Sequence, residues 1–243
     1  MNRLIILIKG ELSRLHKYNF TSISFLVAII WGAILYFLDD ARLSMILPFV
    51  LMLDATLMAV MYVGAVMYFE KNESTISTLL VTPITNGELI LSKVISYTIH
   101  NLFSAALIII AFELIRDIDI NYPLLILGIV LATTFHTIAG ICLSYFQKDF
   151  TGMLVQIMLI SFALLIPTAL MQFGVLTGDI WEVIAYINPI NGAQTLIAGG
   201  FNGYDHDFDY FFSLGYLLIG SILLFKLFAL PKFQDYAIKQ SGV

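Results

Sequence analysis

Asp54 sits near the middle of a long apolar run, Ser44–Phe69. A carboxylate at that depth is expensive in a bilayer and marks a functional position by default, here an acid on a path where it meets a substrate or a proton. A protonated or hydrogen-bonded carboxyl at a helix interface is the structural alternative. His136, beside Thr133, Thr134 and Thr137, and Gln156, in the next apolar run, are the other side chains that could line such a path. For His136, as for His100 and Asn101, interhelical hydrogen bonding is the simpler account. Asp205-His206-Asp207-Phe208-Asp209 offers metal-ligand residue types without a regular ligand spacing, so it reads as a solvated acidic loop. No Gly-x-x-x-x-Gly-Lys-Ser/Thr occurs, hence no P-loop. No Ser/His dyad at helical spacing and no zinc motif occurs either. The expectation is a chain with no catalytic residue, no metal and no cofactor of its own.

The best-organised polar stretch runs from Glu70 to Lys93, between two apolar runs. Ile76, Leu79 and Leu80 fall at i, i+3 and i+4, a ridge on a helix of about two turns. Pro83 ends that helix, because the residue before a proline avoids the helical region. Thr85-Asn-Gly-Glu88 then matches a capping box, and a helix from Asn86 can run on into the next apolar run. A short exposed helix with a leucine ridge suits a groove on a soluble partner. The same ridge could instead lie on the membrane surface.

These residues are positioned by very apolar elements. Hydrophobic residues make up 60% of the 243-residue chain and charged residues 12%, about half the charged share of a soluble domain. A bilayer crossing needs roughly 20 mostly apolar residues. Six stretches qualify: Phe20–Leu38, Ser44–Phe69, Val94–Ile115, Tyr122–Phe146, Gly152–Val175 and Phe211–Leu230. The first follows a polar-flanked segment without a small-residue cleavage site, which argues against a removable signal peptide. The lone Cys142 leaves no intrachain disulfide.

Lys and Arg orient the chain. With the N-terminus in the cytoplasm, the inner side holds ten of the 12 basic residues, and the outer side holds only Arg42 and Arg116. The predicted fold is all-α and integral to the membrane, with six transmembrane helices and both termini inside. Ahead of the first crossing, Leu4, Ile5, Ile8, Leu12 and Leu15 share one helical face, with Lys9, Arg14 and Lys17 largely off it. That pattern fits an N-terminal helix lying in the interface. Between the last two crossings, Ile180, Trp181, Val183, Ile184 and Ile187 form an apolar helical face that Asn188-Pro189 breaks. A second short helix from Gly192 to Ala198 follows.

The chain is similar to the membrane subunits of ABC-2 type exporters. Their box between the second and third helices runs roughly Glu-x-Glu-x-Gly-Thr-x-x-x-Leu-Leu-x-Thr-Pro, with a Lys ahead of the third helix. Here Glu70, Thr75, Leu79, Leu80, Thr82, Pro83 and Lys93 match, while Asn72 and Ser74 depart from it. The resemblance covers the chain in span count, orientation and loop lengths. It implies one transmembrane domain over residues 1–243, with an interfacial helix (1–19), a cytoplasmic coupling-helix loop (70–93) and outer re-entrant helices (174–210). It implies an ATPase-docking set of Glu70, Glu73, Thr75, Ile76, Leu79, Leu80, Thr82 and Pro83. It also implies a permease subunit that forms a translocation path with a second permease, identical or related, in a cell membrane of bacterial or archaeal type. Separate cytoplasmic ABC ATPase subunits would bind ATP and Mg, the cargo would be a drug, an antibiotic or a lipid-like compound, and nucleic acid has no place. A membrane scaffold or assembly subunit with the same fold is the alternative.

Overall fold

The computed structural model describes residues 3–38, 40–73, 75, 82–147, 149–201, 204 and 206–240. Among these residues, every regular element is helical, and the one β feature is an isolated bridge between Ile120 and Phe201. α1 (Arg3–Lys17) turns through Tyr18 and Asn19 into α2 (Phe20–Tyr36) with a 60° bend. Asn19 takes the left-handed conformation at φ 63°, which asparagine tolerates better than most residues. α3 (Asp40–Leu53) passes through a π-helical turn at Asp54–Met58 into α4 (Ala59–Asn72).

α5 (Asn86–Glu113) starts on the capping box that the sequence predicts. The Glu88 N–H donates to Thr85 Oγ1 at 3.2 Å, and the Thr85 N–H donates to Glu88 Oε2 at 2.8 Å. α6 (Tyr122–Ser144) carries Pro123 in its first turn, and α7 (Phe150–Gln172) is capped by Asp149. Two short helices follow, α8 (Asp179–Ile187) and α9 (Pro189–Ala198), broken at Asn188-Pro189 as the pattern there predicts. α10 (Phe208–Leu224) continues through a second π turn, Phe225–Ala229, into α11 (Leu230–Gln240), well past the expected end at Leu230.

Five helical stretches are long and apolar enough to cross a bilayer: Met45–Asn72, Asn86–Glu113, Tyr122–Ser144, Phe150–Gln172 and Phe208–Ala237. The first of the six expected crossings is shorter, since α2 has 17 residues. Its last turn tightens, with the Phe37 and Leu38 N–H groups bonding back to the Ile34 and Leu35 carbonyls, so the helix stops before Leu38.

α6 is the centre of the bundle and packs on α4, α5, α9 and α10. Two glycines let it approach closely. A Cβ on Gly140 would lie 3.1 Å from Val60 Cα, and one on Gly128 would lie 2.8 Å from the Leu196 carbonyl oxygen. Small residues at such crossings are how membrane helices gain packing contact. The core has two main halves. One gathers Leu47, Leu51, Phe112, Leu125 and Leu196 near the end holding α8 and α9, and the other gathers Leu15, Met67, Ile90, Tyr97 and Phe233 near the termini. α7 and α10 turn large apolar side chains outward, Leu159 and Ile166 on one and Phe211 and Ile219 on the other.

Candidate functional site

At the end of the bundle that holds most of the basic residues, four charged side chains meet. Lys93 Nζ lies 2.6 Å from Glu70 Oε1 and 3.0 Å from Glu11 Oε1. Arg14 Nη1 bonds to the same Glu70 oxygen and lies 3.0 Å from Glu11 Oε1. Two acids and two bases balance, and the Glu70, Glu11 and Lys93 side chains are each at most 5% exposed. Desolvated ions persist only with such pairing.

Three elements supply the cluster: α1, the last turn of α4 and the early turns of α5. Glu70 and Lys93 stand on either side of the 71–92 segment, so their bond closes that loop at its base. α1 lies along it. Arg3 Nη1 donates to the Pro83 carbonyl at 2.5 Å, and Ser96 Oγ donates to the Ile8 carbonyl at 3.2 Å. Glu73 accepts the Tyr18 phenol, and burial together with that bond pushes the Tyr18 hydroxyl up to about 12. Lys71 Nζ lies 3.4 Å from the Gln147 carbonyl, joining this loop to the next one at the same end.

Among the predicted docking residues, Glu70 is 1% exposed and bonded inward, while Glu73 and Pro83 are exposed. Thr75 Oγ1 donates to the Glu70 carbonyl at 3.2 Å, and Thr82 is half-buried. Ile76, Leu79 and Leu80 lie outside the described residues, as does Lys148.

Sequence reasoning missed Glu11 and placed Arg14 wrongly. Arg14 turns into the bundle instead of lying off the packed face, because Glu11 and Glu70 draw it there, while Ile5 is 45% exposed. One signal was readable: Glu11 interrupts the apolar spacing of Ile8, Leu12 and Leu15, which asks for a buried cation.

The three predicted path residues have separate hydrogen-bond partners. Asp54 is 3% exposed in the π turn and faces α5, where Ser104 Oγ donates to its Oδ1 at 3.1 Å and Asn101 Nδ2 donates to its backbone carbonyl at 2.9 Å. His136 Nδ1 lies 2.8 Å from its own helix's Ala132 carbonyl. Gln156 Oε1 accepts from Gln147 Nε2 at 2.5 Å, beside the basic-end loop.

At the opposite end, α8 and α9 are anchored by Asn188. Its Nδ2 donates to the Leu164 carbonyl at 2.7 Å and reaches Thr168 Oγ1 at 3.0 Å, beside Pro167 of α7. The acidic loop is used structurally: His206 Nε2 lies 2.9 Å from the Gly199 carbonyl, Asp207 caps α10, and Asp209 accepts from the Tyr186 hydroxyl at 2.6 Å. Asp205 lies outside the described residues. A cavity of about 240 Å³ opens here between Met171, Glu182, Tyr186, Asn191 and Asp209.

The profile of the Fluoroquinolones export permease protein family matches residues 2–241. Two Mycobacterium tuberculosis proteins, from strains CDC 1551 / Oshkosh and ATCC 25618 / H37Rv, are each named fluoroquinolones export permease protein. Each is 23% identical to this chain over 203 residues, covering 83% of this chain and 82% of its own length. The match bears out the resemblance drawn from the Glu70–Lys93 box, and it runs over the same membrane-length helices and charge cluster. The chain is a multi-pass membrane protein and belongs to the fluoroquinolones export permease protein family.

Proposed function

We propose that this chain is the membrane permease subunit of an ATP-driven exporter, paired with a second permease and powered by separate ATPase subunits that supply ATP and Mg. The observation that carries the reading is the closed base of the 71–92 loop, where Glu70 and Lys93 bond across it and α1 braces it. A loop that only joined two helices would not need a buried four-charge clamp. A loop that transmits force does, because a thrust on it must move α4, α5 and α1 together as a rigid body. Glu70 then serves by fixing the loop rather than by touching the partner, and Glu73, Thr75, Ile76, Leu79, Leu80, Thr82 and Pro83 form the docking element itself.

In this reading α2 is the sixth crossing, short but within the length a crossing allows. α1 lies at the cytoplasmic interface and both termini are inside, which puts ten of the 12 basic residues there. α8 and α9 re-enter from the outer side, held by Asn188. The outward apolar faces of α7 and α10 meet lipid or the second permease. The cargo is an amphipathic drug of the fluoroquinolone kind, which the relatives' name points to. The membrane is the cytoplasmic membrane of a bacterium or archaeon.

The docking element is tested by Leu79→Asp combined with Leu80→Asp. Burying a leucine contributes about 1.5–3 kcal/mol, so losing two and placing charge in a groove disrupts docking. The double variant should insert normally and lose its co-purifying ATPase under mild detergent. Retention of the ATPase at the wild-type ratio would remove the docking role and favour a scaffold.

A further inference from the structure

We propose that Asp54 is a proton-binding site, reached from the basic end of the bundle along a polar stripe on α5. Lys93, Tyr97, His100, Asn101 and Ser104 recur at spacings of three and four residues, so they share one face over about 16 Å. All five are at most 6% exposed. The stripe begins in the charge cluster at Lys93 and ends on Asp54, which Asn101 and Ser104 both contact.

Asp54 Oδ2, Asn101 Oδ1, His100 Nε2 and the Tyr97 hydroxyl are buried and have no hydrogen-bond partner among the described residues. Glu11 Oε2 and Glu70 Oε2 of the charge cluster also lack a hydrogen-bond partner, but those carboxylates are each paired with Lys93 and Arg14, whereas Asp54 has no such cation among the described residues. Tyr62 of α4 packs its ring edge-on to His100 with centroids 5.7 Å apart. An orphaned carboxylate oxygen in a dry interior is costly, and one proton on Oδ2 turns it into a donor and removes the charge. Asn101, already bonded to the Asp54 carbonyl, has a free acceptor oxygen beside it. The π turn aids this by displacing the backbone at the carboxyl's own residue.

On the packed elements, Tyr62 of α4, Tyr97 and His100 of α5 and His136 of α6 are buried titratable groups, Glu70 of α4 and Lys93 of α5 are paired in the charge cluster, α9 carries none, and α3 has in sequence only Asp40 and Arg42. Among the described residues no lysine or arginine is placed at salt-bridge distance from Asp54, and a proton is the positive charge we assign to the site. This goes beyond the transport reading and does not depend on it, since the test needs neither cargo nor ATPase.

The test is pH-titrated infrared difference spectroscopy on the full chain in lipid. A protonated-carboxyl band should appear as pH falls, vanish in Asp54→Asn and shift in Asp54→Glu. If Asp54→Asn does not accumulate, the shift in Asp54→Glu assigns the band by itself. Tyr97→Phe with His100→Leu should keep the band and slow its deuterium shift by about tenfold or more. No Asp54-dependent band at any pH would overturn the site, as would happen if a metal cation held the carboxylate ionised. An unchanged exchange rate in the stripe variant would overturn the route.

Discussion

Two groups of buried polar residues lie along one face of α5, and the chain treats them oppositely. Around Lys93, two acids and two bases from three elements neutralise one another at salt-bridge distance. Around Asp54, a single acid has one neutral donor on its carboxylate, and several neighbouring polar atoms have no partner. The first arrangement locks helices together by neutralising each acid with a base, although Glu11 Oε2 and Glu70 Oε2 have no hydrogen-bond partner among the described residues. The second has a buried acid with no cation at salt-bridge distance among the described residues. The difference separates a mechanical role from a binding role more clearly than the presence of charge does, since both sites are charged and buried.

The largest expected effect comes from breaking the lock. Lys93→Met leaves Glu70 and Glu11 buried beside a single arginine, and removing one partner of a buried pair costs about 3–5 kcal/mol. Thermal unfolding in detergent should show a large loss, and adding Glu70→Gln should recover much of it. No recovery would mean that the pair is not coupled.

Ser104→Ala removes one hydrogen bond to Asp54 and should cost about 0.5–1.5 kcal/mol by the same assay. Asp54→Asn should cost less than Lys93→Met, within about 1 kcal/mol of wild type, because it discharges an unpaired group without orphaning an ion. A loss as large as that of Lys93→Met would erase the contrast between the two sites.

The smallest effect belongs to Tyr18. Its folded value is raised above the ordinary 10.0 to about 12, so the folded chain holds this proton more tightly than the unfolded one. The contribution is therefore complete below pH 10 and is lost as pH rises through about 12. Tyr18→Phe should flatten the alkaline limb of the stability profile and, by losing the bond to Glu73, lower stability slightly at neutral pH.

Much of this was legible in the sequence. The apolar runs, the Thr85–Glu88 cap and the Asn188-Pro189 break are local signals, and the helices start or stop there. The charge cluster was only half legible. Glu70 and Lys93 stood out by their place in the box, but Glu11 pairs with a residue 82 positions away, which no local pattern encodes. Arg14 was misplaced for the same reason: amphipathicity counts charges as outward, and a tertiary partner reverses the sign. The π turn at Asp54 and the continuation past Leu230 were equally hidden, since both are settled by packing across helices.

We propose that this chain moves drug across a membrane by force delivered at the loop the charge cluster braces. Inside-out vesicles from cells expressing the chain with its co-purifying ATPase test it most directly, by following a fluoroquinolone during ATP addition. ATP-dependent accumulation that Leu79→Asp with Leu80→Asp abolishes is the predicted result. Equal drug content with and without ATP, in vesicles shown to retain the ATPase, would contradict it.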